Sequence, residues 1–245
     1  MANWSDPRSG VAGFGGTTVA RGEAFDAGLR SYMLSVYNYM ASGVLLTGIV
    51  AMLFASSGLA YQILVGPGIL KYVIMFAPLA FVMVLSFGIG RLSTVTAQAL
   101  YWAYAAVMGL SLSSILLVYT GTSVAQTFFA TAAAFAGLSL WGYTTKRDLS
   151  GFGTFLIMGV VGIFVALLLN MFLRSSALDL AISAIGVLVF AGLTAYDAQK
   201  IKSIYFVVAG NGEAMAKTAV IGALNLYLDF INMFLFLLRL FGDRR

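Results

Sequence analysis

Seven stretches of about 20 mostly apolar residues constrain the fold of this chain more than any other feature. A helix needs about 20 apolar residues to cross the hydrocarbon core of a bilayer. Only 9% of the 245 residues are charged, whereas an ordinary soluble domain is about 25% charged. We therefore predict an all-α polytopic membrane protein in contact with the lipid bilayer. The predicted spans are Tyr32–Ser56, Tyr72–Gly90, Ala97–Tyr119, Val124–Tyr143, Phe152–Phe172, Leu180–Ala198 and Ala219–Phe241.

Two regions follow from this division of the chain. Residues 1–31 are polar and Gly-rich and lack the early apolar core of a signal peptide, so we expect a largely flexible cytoplasmic tail. Residues 32–245 form the seven-helix transmembrane domain. The predicted connections are short except around Gln199–Thr218, which predicts one compact bundle without a separate soluble domain.

Basic residues predict the orientation, because Lys and Arg concentrate in cytoplasmic loops. With the N-terminus inside, the outer loops hold only Lys71 and Arg174, and the other basic residues before the last span lie inside. Seven full crossings would place Arg244 and Arg245 outside, so the last span either crosses despite the rule or is partly re-entrant. The net charge of +5 is explained by this orientation, and no nucleic-acid partner is expected.

Two residue types are missing, and their absence excludes much chemistry. The chain contains no Cys and no His, so thiol nucleophiles, histidine-based triads and the usual zinc sites are excluded. We expect no cofactor. An ion handled by this protein must be coordinated by oxygen, which favours hard cations such as calcium, magnesium or sodium over transition metals.

Asp197 and Asp229 are carboxyl groups within otherwise apolar spans, where an ionised side chain is costly and usually marks a function. Asn225, Asp229 and Asn232 are spaced four and three residues apart, so they share one face of the last span. That helix should sit centrally, with its polar stripe facing other helices or water. On the sixth span, Thr194 shares a face with Asp197.

If the two aspartates face each other, they can share one proton and titrate as a coupled pair. The shared proton gives a closed, hydrogen-bonded pair, and its loss gives repulsion and a site for a divalent cation. Arg91 ends the second span on the inner side and could act as a latch on a carboxylate. The alternative for Arg91 is a membrane anchor that reaches the headgroups.

Three functions remain open on the residues alone. The first is a proton-regulated path for a hard cation, and the second is a non-conducting stress-regulatory or interaction protein in which the pair only joins two helices. The third is an intramembrane aspartyl protease, which also needs two carboxyls on neighbouring spans. No Gly-x-Gly precedes Asp229, which disfavours the protease. We expect that this protein is not an enzyme.

Two long motifs identify a family resemblance. Ala195-Tyr-Asp-Ala-Gln-Lys-Ile-Lys and Leu224-Asn-Leu-Tyr-Leu-Asp-Phe-Ile-Asn-Met-Phe-Leu-Phe-Leu-Leu-Arg-Leu-Phe-Gly resemble the Bax inhibitor-1 family, most closely its bacterial members. Lys146-Arg-Asp-Leu is also similar, and the resemblance covers roughly residues 30–242.

The resemblance implies a specific function. Its members are seven-helix proteins with a central seventh helix, and they leak calcium in a pH-dependent way. It assigns Asp197 and Asp229 as the pH sensor and Arg91 as a basic residue in contact with them. The bacterial pattern can include an acidic residue on the second span, and Tyr72–Gly90 has none, which argues against an ion pathway that requires a carboxylate there. We therefore expect a pH-sensitive calcium leak, with calcium ions and protons as ligands, in a bacterial inner membrane.

Overall fold

A computed structural model describes the backbone from residue 14 to residue 245 and side chains from residue 25 onward. It contains eight helices within those residues. These are α1 (Phe14–Ser56), α2 (Leu59–Leu64), α3 (Leu70–Gly88), α4 (Thr94–Val118), α5 (Gly121–Thr144), α6 (Ser150–Leu173), α7 (Ser176–Val208) and α8 (Gly212–Phe241). All except the short α2 are long and apolar enough to cross a membrane. The predicted seven-span, all-α architecture is confirmed.

The helix boundaries differ from the prediction in two places. Residues 1–13 of the predicted tail lie outside the described residues, and from Phe14 onward the chain belongs to α1. The longer connection predicted around Gln199–Thr218 is wrong, because α7 continues to Val208 and α8 begins at Gly212. Polar residues end the apolar run at Gln199, but a helix can continue through polar residues because its hydrogen bonds are internal.

α8 is the central helix of the bundle. It packs against α1, α4, α5 and α7, while α6 packs on α7 and α3 packs on α4. In its most apolar stretch, 67% of the residues are buried, compared with 33% in α7, the next highest of the spans. Burial on all sides explains why α8 is apolar around most of its circumference. The predicted central position of the seventh span is confirmed.

Contacts between the helix ends separate the bundle into two faces. Tyr32 near the start of the first span donates a hydrogen bond to Thr218 of α8 (3.2 Å), and Gln199 of α7 contacts the α5–α6 connection. We call this the basic face. It carries the α3–α4, α5–α6 and α7–α8 connections and therefore Arg91, Lys146, Arg147, Lys200, Lys202 and Lys217.

The C-terminus lies on the opposite face. The amide of Thr120, between α4 and α5, donates to the carbonyl of Asp243 (3.0 Å), and the amide of Arg245 donates to the carbonyl of Val118 (2.9 Å). α8 is continuous over 30 residues, about 45 Å at 1.5 Å per residue. It therefore runs from one face to the other, and the re-entrant alternative for the last span is excluded.

Candidate functional site

The candidate site lies where α7 and α8 pack antiparallel. A Cβ added to Gly186 of α7 would lie 2.6 Å from the Phe236 ring. A Cβ added to Gly222 of α8 would lie 3.1 Å from the Ile201 side chain. These two close approaches define the register. Asp229 lies midway along α8 between Gly222 and Phe236. Thr194 lies about midway along α7 between Gly186 and Ile201. Asp229 and Thr194 are therefore at the same height in the bundle. Small residues at these crossings let the helix backbones approach closely.

Asp197 lies one helical turn from Thr194 on the same face, which places its carboxyl group beside that of Asp229. The two groups lie within hydrogen-bonding reach of each other. Asp229 is only 4% exposed, whereas Asp197 is half-buried. The structure thus brings together the two aspartates that the sequence singled out.

The pair has an unusual hydrogen-bonding requirement. Within the described residues, the Oδ2 atom of Asp229 is buried and has no hydrogen-bond partner. Ionised carboxylates only accept hydrogen bonds, so Asp197 and Asp229 can bond to each other only when one of them carries a proton. Without that proton, two like charges share an apolar site and need a compensating cation.

Lys200 and the predicted latch Arg91 differ in their position relative to this pair. Lys200 lies three residues after Asp197 and attracts its carboxylate. Arg91 is exposed on the turn after α3, where its amide donates to the carbonyl of Gly88 (2.9 Å). Among the described residues, no carboxylate lies within salt-bridge distance of Arg91. This conformation therefore does not bring the predicted latch to the pair, and the position of Arg91 fits a headgroup anchor.

The other predicted polar residues lie on the two helices that carry the pair. Thr194 is buried and its hydroxyl donates to the carbonyl of Phe190 (2.8 Å). Asn232 is half-buried and its amide donates to the carbonyl of Leu228 (2.8 Å). Asn225 is half-buried one turn before Asp229. Both amide side chains are therefore partly accessible along α8.

The donor set fits a passing ion better than a resident metal. Calcium takes six to eight oxygen ligands, and the pair supplies at most four carboxylate oxygens. In the part of the chain that the structure describes, no cluster of three or more metal-ligating acidic side chains occurs. An ion at the pair must complete its shell with water or with amide oxygens, which favours transient occupancy.

Sequence reasoning missed the polar contacts that fix α8 against α1 and α4. The Tyr227 hydroxyl lies 2.7 Å from the hydroxyl of Thr47, which also donates to the carbonyl of Ala105 (2.8 Å). The Tyr104 ring packs edge-on against Tyr227 with centroids 5.2 Å apart. Isolated Thr and Tyr residues in apolar spans carry no periodic signal, so only the packing shows that they meet.

The fold and the site define a polytopic α-helical membrane protein whose central helix carries one partner of an intramembrane carboxyl pair. The chain belongs to the family described as inhibitor of apoptosis-promoting Bax1, which it matches over residues 29–245. The predicted family resemblance is thereby confirmed.

Relatives from several bacteria support the assignment. An uncharacterised protein of Rickettsia prowazekii is 49% identical over 94% of this chain and 96% of its own length. The inner membrane protein YbhL of Escherichia coli is 48% identical over 89% of this chain and 94% of its own length. An uncharacterised membrane protein of Streptococcus pyogenes is 39% identical over the same shares. Together with the seven apolar helices, these relatives support the predicted location in a bacterial inner membrane.

Proposed function

We propose that this protein is a calcium-permeable leak that is gated by protonation of Asp197 and Asp229. The observation that carries the proposal is the placement of both carboxyls at the α7–α8 interface, with one of them almost fully buried. A charged group in such a position is costly and usually lies on an ion or proton path. Its burial on the central helix means that a change at the pair can be transmitted to α1, α4, α5 and α7.

The gating follows from the hydrogen-bonding requirement of the pair. With one shared proton, Asp197 and Asp229 attract each other and hold α7 against α8. Without that proton, the two carboxylates repel each other and attract a hard divalent cation. Protons and calcium therefore compete for the same oxygens, and the leak should increase as pH rises.

The basic face is cytoplasmic in this proposal. It carries six basic residues in or beside its connections, and lysine and arginine accumulate on the cytoplasmic side. The C-terminus then lies on the outer side. A latch role for Arg91 requires a second conformation, in which the α3–α4 turn moves toward the pair.

Calcium flux into proteoliposomes between pH 5 and pH 8 tests the proposal. Wild-type flux should rise with pH, whereas Asp197→Asn and Asp229→Asn should give flux that no longer depends on pH in this range. Asparagine keeps the size of the side chain but cannot exchange a proton. Asp179→Asn is the matched control, since Asp179 is a half-exposed carboxylate at the other end of α7.

Two results would contradict the proposal. Wild-type flux profiles in both pair variants would show that the carboxyls do not gate an ion path. Absence of flux in the wild type, together with a lower melting temperature for Asp197→Ala or Asp229→Ala, would favour a non-conducting protein. In that case the pair would only join α7 to α8.

A further inference from the structure

A second charged site lies on the basic face, between the α5–α6 connection and α7. It is a cavity of about 340 Å³ lined by Lys146, Arg147, Lys200 and Lys202, with Asp148 as its acidic residue. We call it the basic pocket. It is separate from the carboxyl pair, although one of its lining residues, Lys200, attracts the carboxylate of Asp197.

Gln199 and Lys202 hold the walls of the basic pocket in place. The Gln199 amide donates to the carbonyl of Arg147 (2.7 Å), and its oxygen accepts from the amide of Leu149 (2.8 Å). Lys202 donates to the carbonyl of Tyr143 (2.9 Å) and lies over the Tyr143 ring at 5.1 Å. These bonds connect α7 to α5 and to the α5–α6 connection, so the pocket is a feature of the packed bundle rather than of one flexible loop.

The pocket has an excess of positive charge. Hydrogen bonds from the side chain and backbone of Ser150 hold the pKa of Asp148 below its usual range, so this carboxylate stays ionised at neutral pH. It offsets only one of four cations. Across the described residues, none of the four forms a salt bridge. Lys200 also attracts the carboxylate of Asp197, and the pocket still has an excess of positive charge.

Two exposed aromatic side chains lie on the helices that contribute residues to the basic pocket. Phe206 lines the pocket and is 56% exposed, and Phe152 at the start of α6 is 62% exposed. Both side chains belong to membrane-spanning helices. A ligand that fits must therefore combine a negative headgroup for the cations with an apolar part for the exposed rings. A free phosphate ion has only the first of these.

We propose that the basic pocket binds the phosphate of an anionic phospholipid such as phosphatidylglycerol. Basic pockets between transmembrane helices at the membrane surface suit such headgroups. Lys146, Arg147 and Lys200 contact the phosphate, while the acyl chains lie along the exposed surface beside Phe152 and Phe206. Lys202 keeps its bond to Tyr143 and shapes the wall.

Lipid titration of the purified protein in neutral detergent tests this site. The melting temperature is followed against added phosphatidylglycerol, phosphatidylcholine or inorganic phosphate, since a ligand that binds the folded state raises it. Only phosphatidylglycerol should raise the melting temperature of the wild type. Each cation near an anionic lipid contributes about fivefold in affinity, so Lys146→Gln/Arg147→Gln/Lys200→Gln should bind about 100-fold more weakly.

Lys217→Gln is the matched control, because Lys217 also lies on the basic face but is paired with Glu213 at 2.8 Å outside the pocket. It should respond to phosphatidylglycerol as the wild type does. Equal responses of the triple variant and the wild type would overturn the proposal, and so would stabilisation by phosphatidylcholine or inorganic phosphate alone. The assay measures binding without calcium, so its outcome is independent of the proposed leak.

Discussion

Gly142 of α5 is the position where a single added methyl group should test the packing beside the site. A Cβ there would lie 2.2 Å from the carbonyl oxygen of Ala195 and 2.8 Å from its Cα. These are backbone atoms of α7, two residues before Asp197, so no side chain can rotate to make room. Contacts of less than 3.0 Å are essentially never formed by real Cβ atoms, so α7 must retreat by about 0.8 Å.

The cost of Gly142→Ala follows from this displacement. Overpacking usually costs about 1–3 kcal/mol, and the value here should be at the upper end because the obstacle is backbone. Alanine also favours the helical state by about 1 kcal/mol relative to glycine. Gly137→Ala isolates the contact, because Gly137 lies on the same helix and nothing lies within 4 Å of its added Cβ.

We expect Gly142→Ala to be less stable than Gly137→Ala by about 2–3 kcal/mol. For a chain of this size, that corresponds to a melting temperature about 4–12 °C lower. Thermal unfolding in detergent, followed by circular dichroism, measures the difference. If the two variants melt at the same temperature, the close approach of α5 to α7 does not exist as described, and the positioning of Asp197 by this contact is refuted.

Two further substitutions test contacts of the central helix. Thr47→Val should lower the free energy of unfolding by about 1–3 kcal/mol, because it leaves the Tyr227 hydroxyl buried without its partner. Chemical denaturation measures this, and a Thr47→Val/Tyr227→Phe double variant should recover part of the loss. Asp179→Asn should change stability by less than about 1 kcal/mol, because Asp179 and Arg239 lie 4.0 Å apart and are both more than a third exposed. A larger effect on the melting temperature would show that this ion pair is shielded from solvent.

The spans could be predicted from hydropathy because bilayer thickness imposes a minimum length on any crossing helix. Their ends could not, since α7 continues for ten residues beyond the predicted end at Ala198. Hydropathy reports which residues tolerate lipid, whereas a helix ends where its backbone finds caps. The side chain of Asn211, for example, accepts a hydrogen bond from the amide of Ala214 and caps the N-terminus of α8.

The candidate site, like the spans, could be predicted from the sequence only in part. The cost of a buried charge identified Asp197 and Asp229 without any structure. The basic pocket was not predicted, because Lys146 and Lys200 are 54 residues apart in sequence and each resembles an ordinary positive-inside residue. Arg91 was predicted as a possible latch at the pair or as a headgroup anchor, because its position in the sequence carries no information on which way the α3–α4 turn faces.

By itself, the sequence determined the membrane class, the seven spans, the family and the two costly carboxyls, because each depends on composition or on local spacing. The tertiary structure decided that Asp197 meets Asp229, that α8 is surrounded by α1, α4, α5 and α7, and that the last helix crosses completely. These outcomes depend on the register between helices. That register is set by close approaches such as Gly186 on Phe236, which involve residues far apart in the chain.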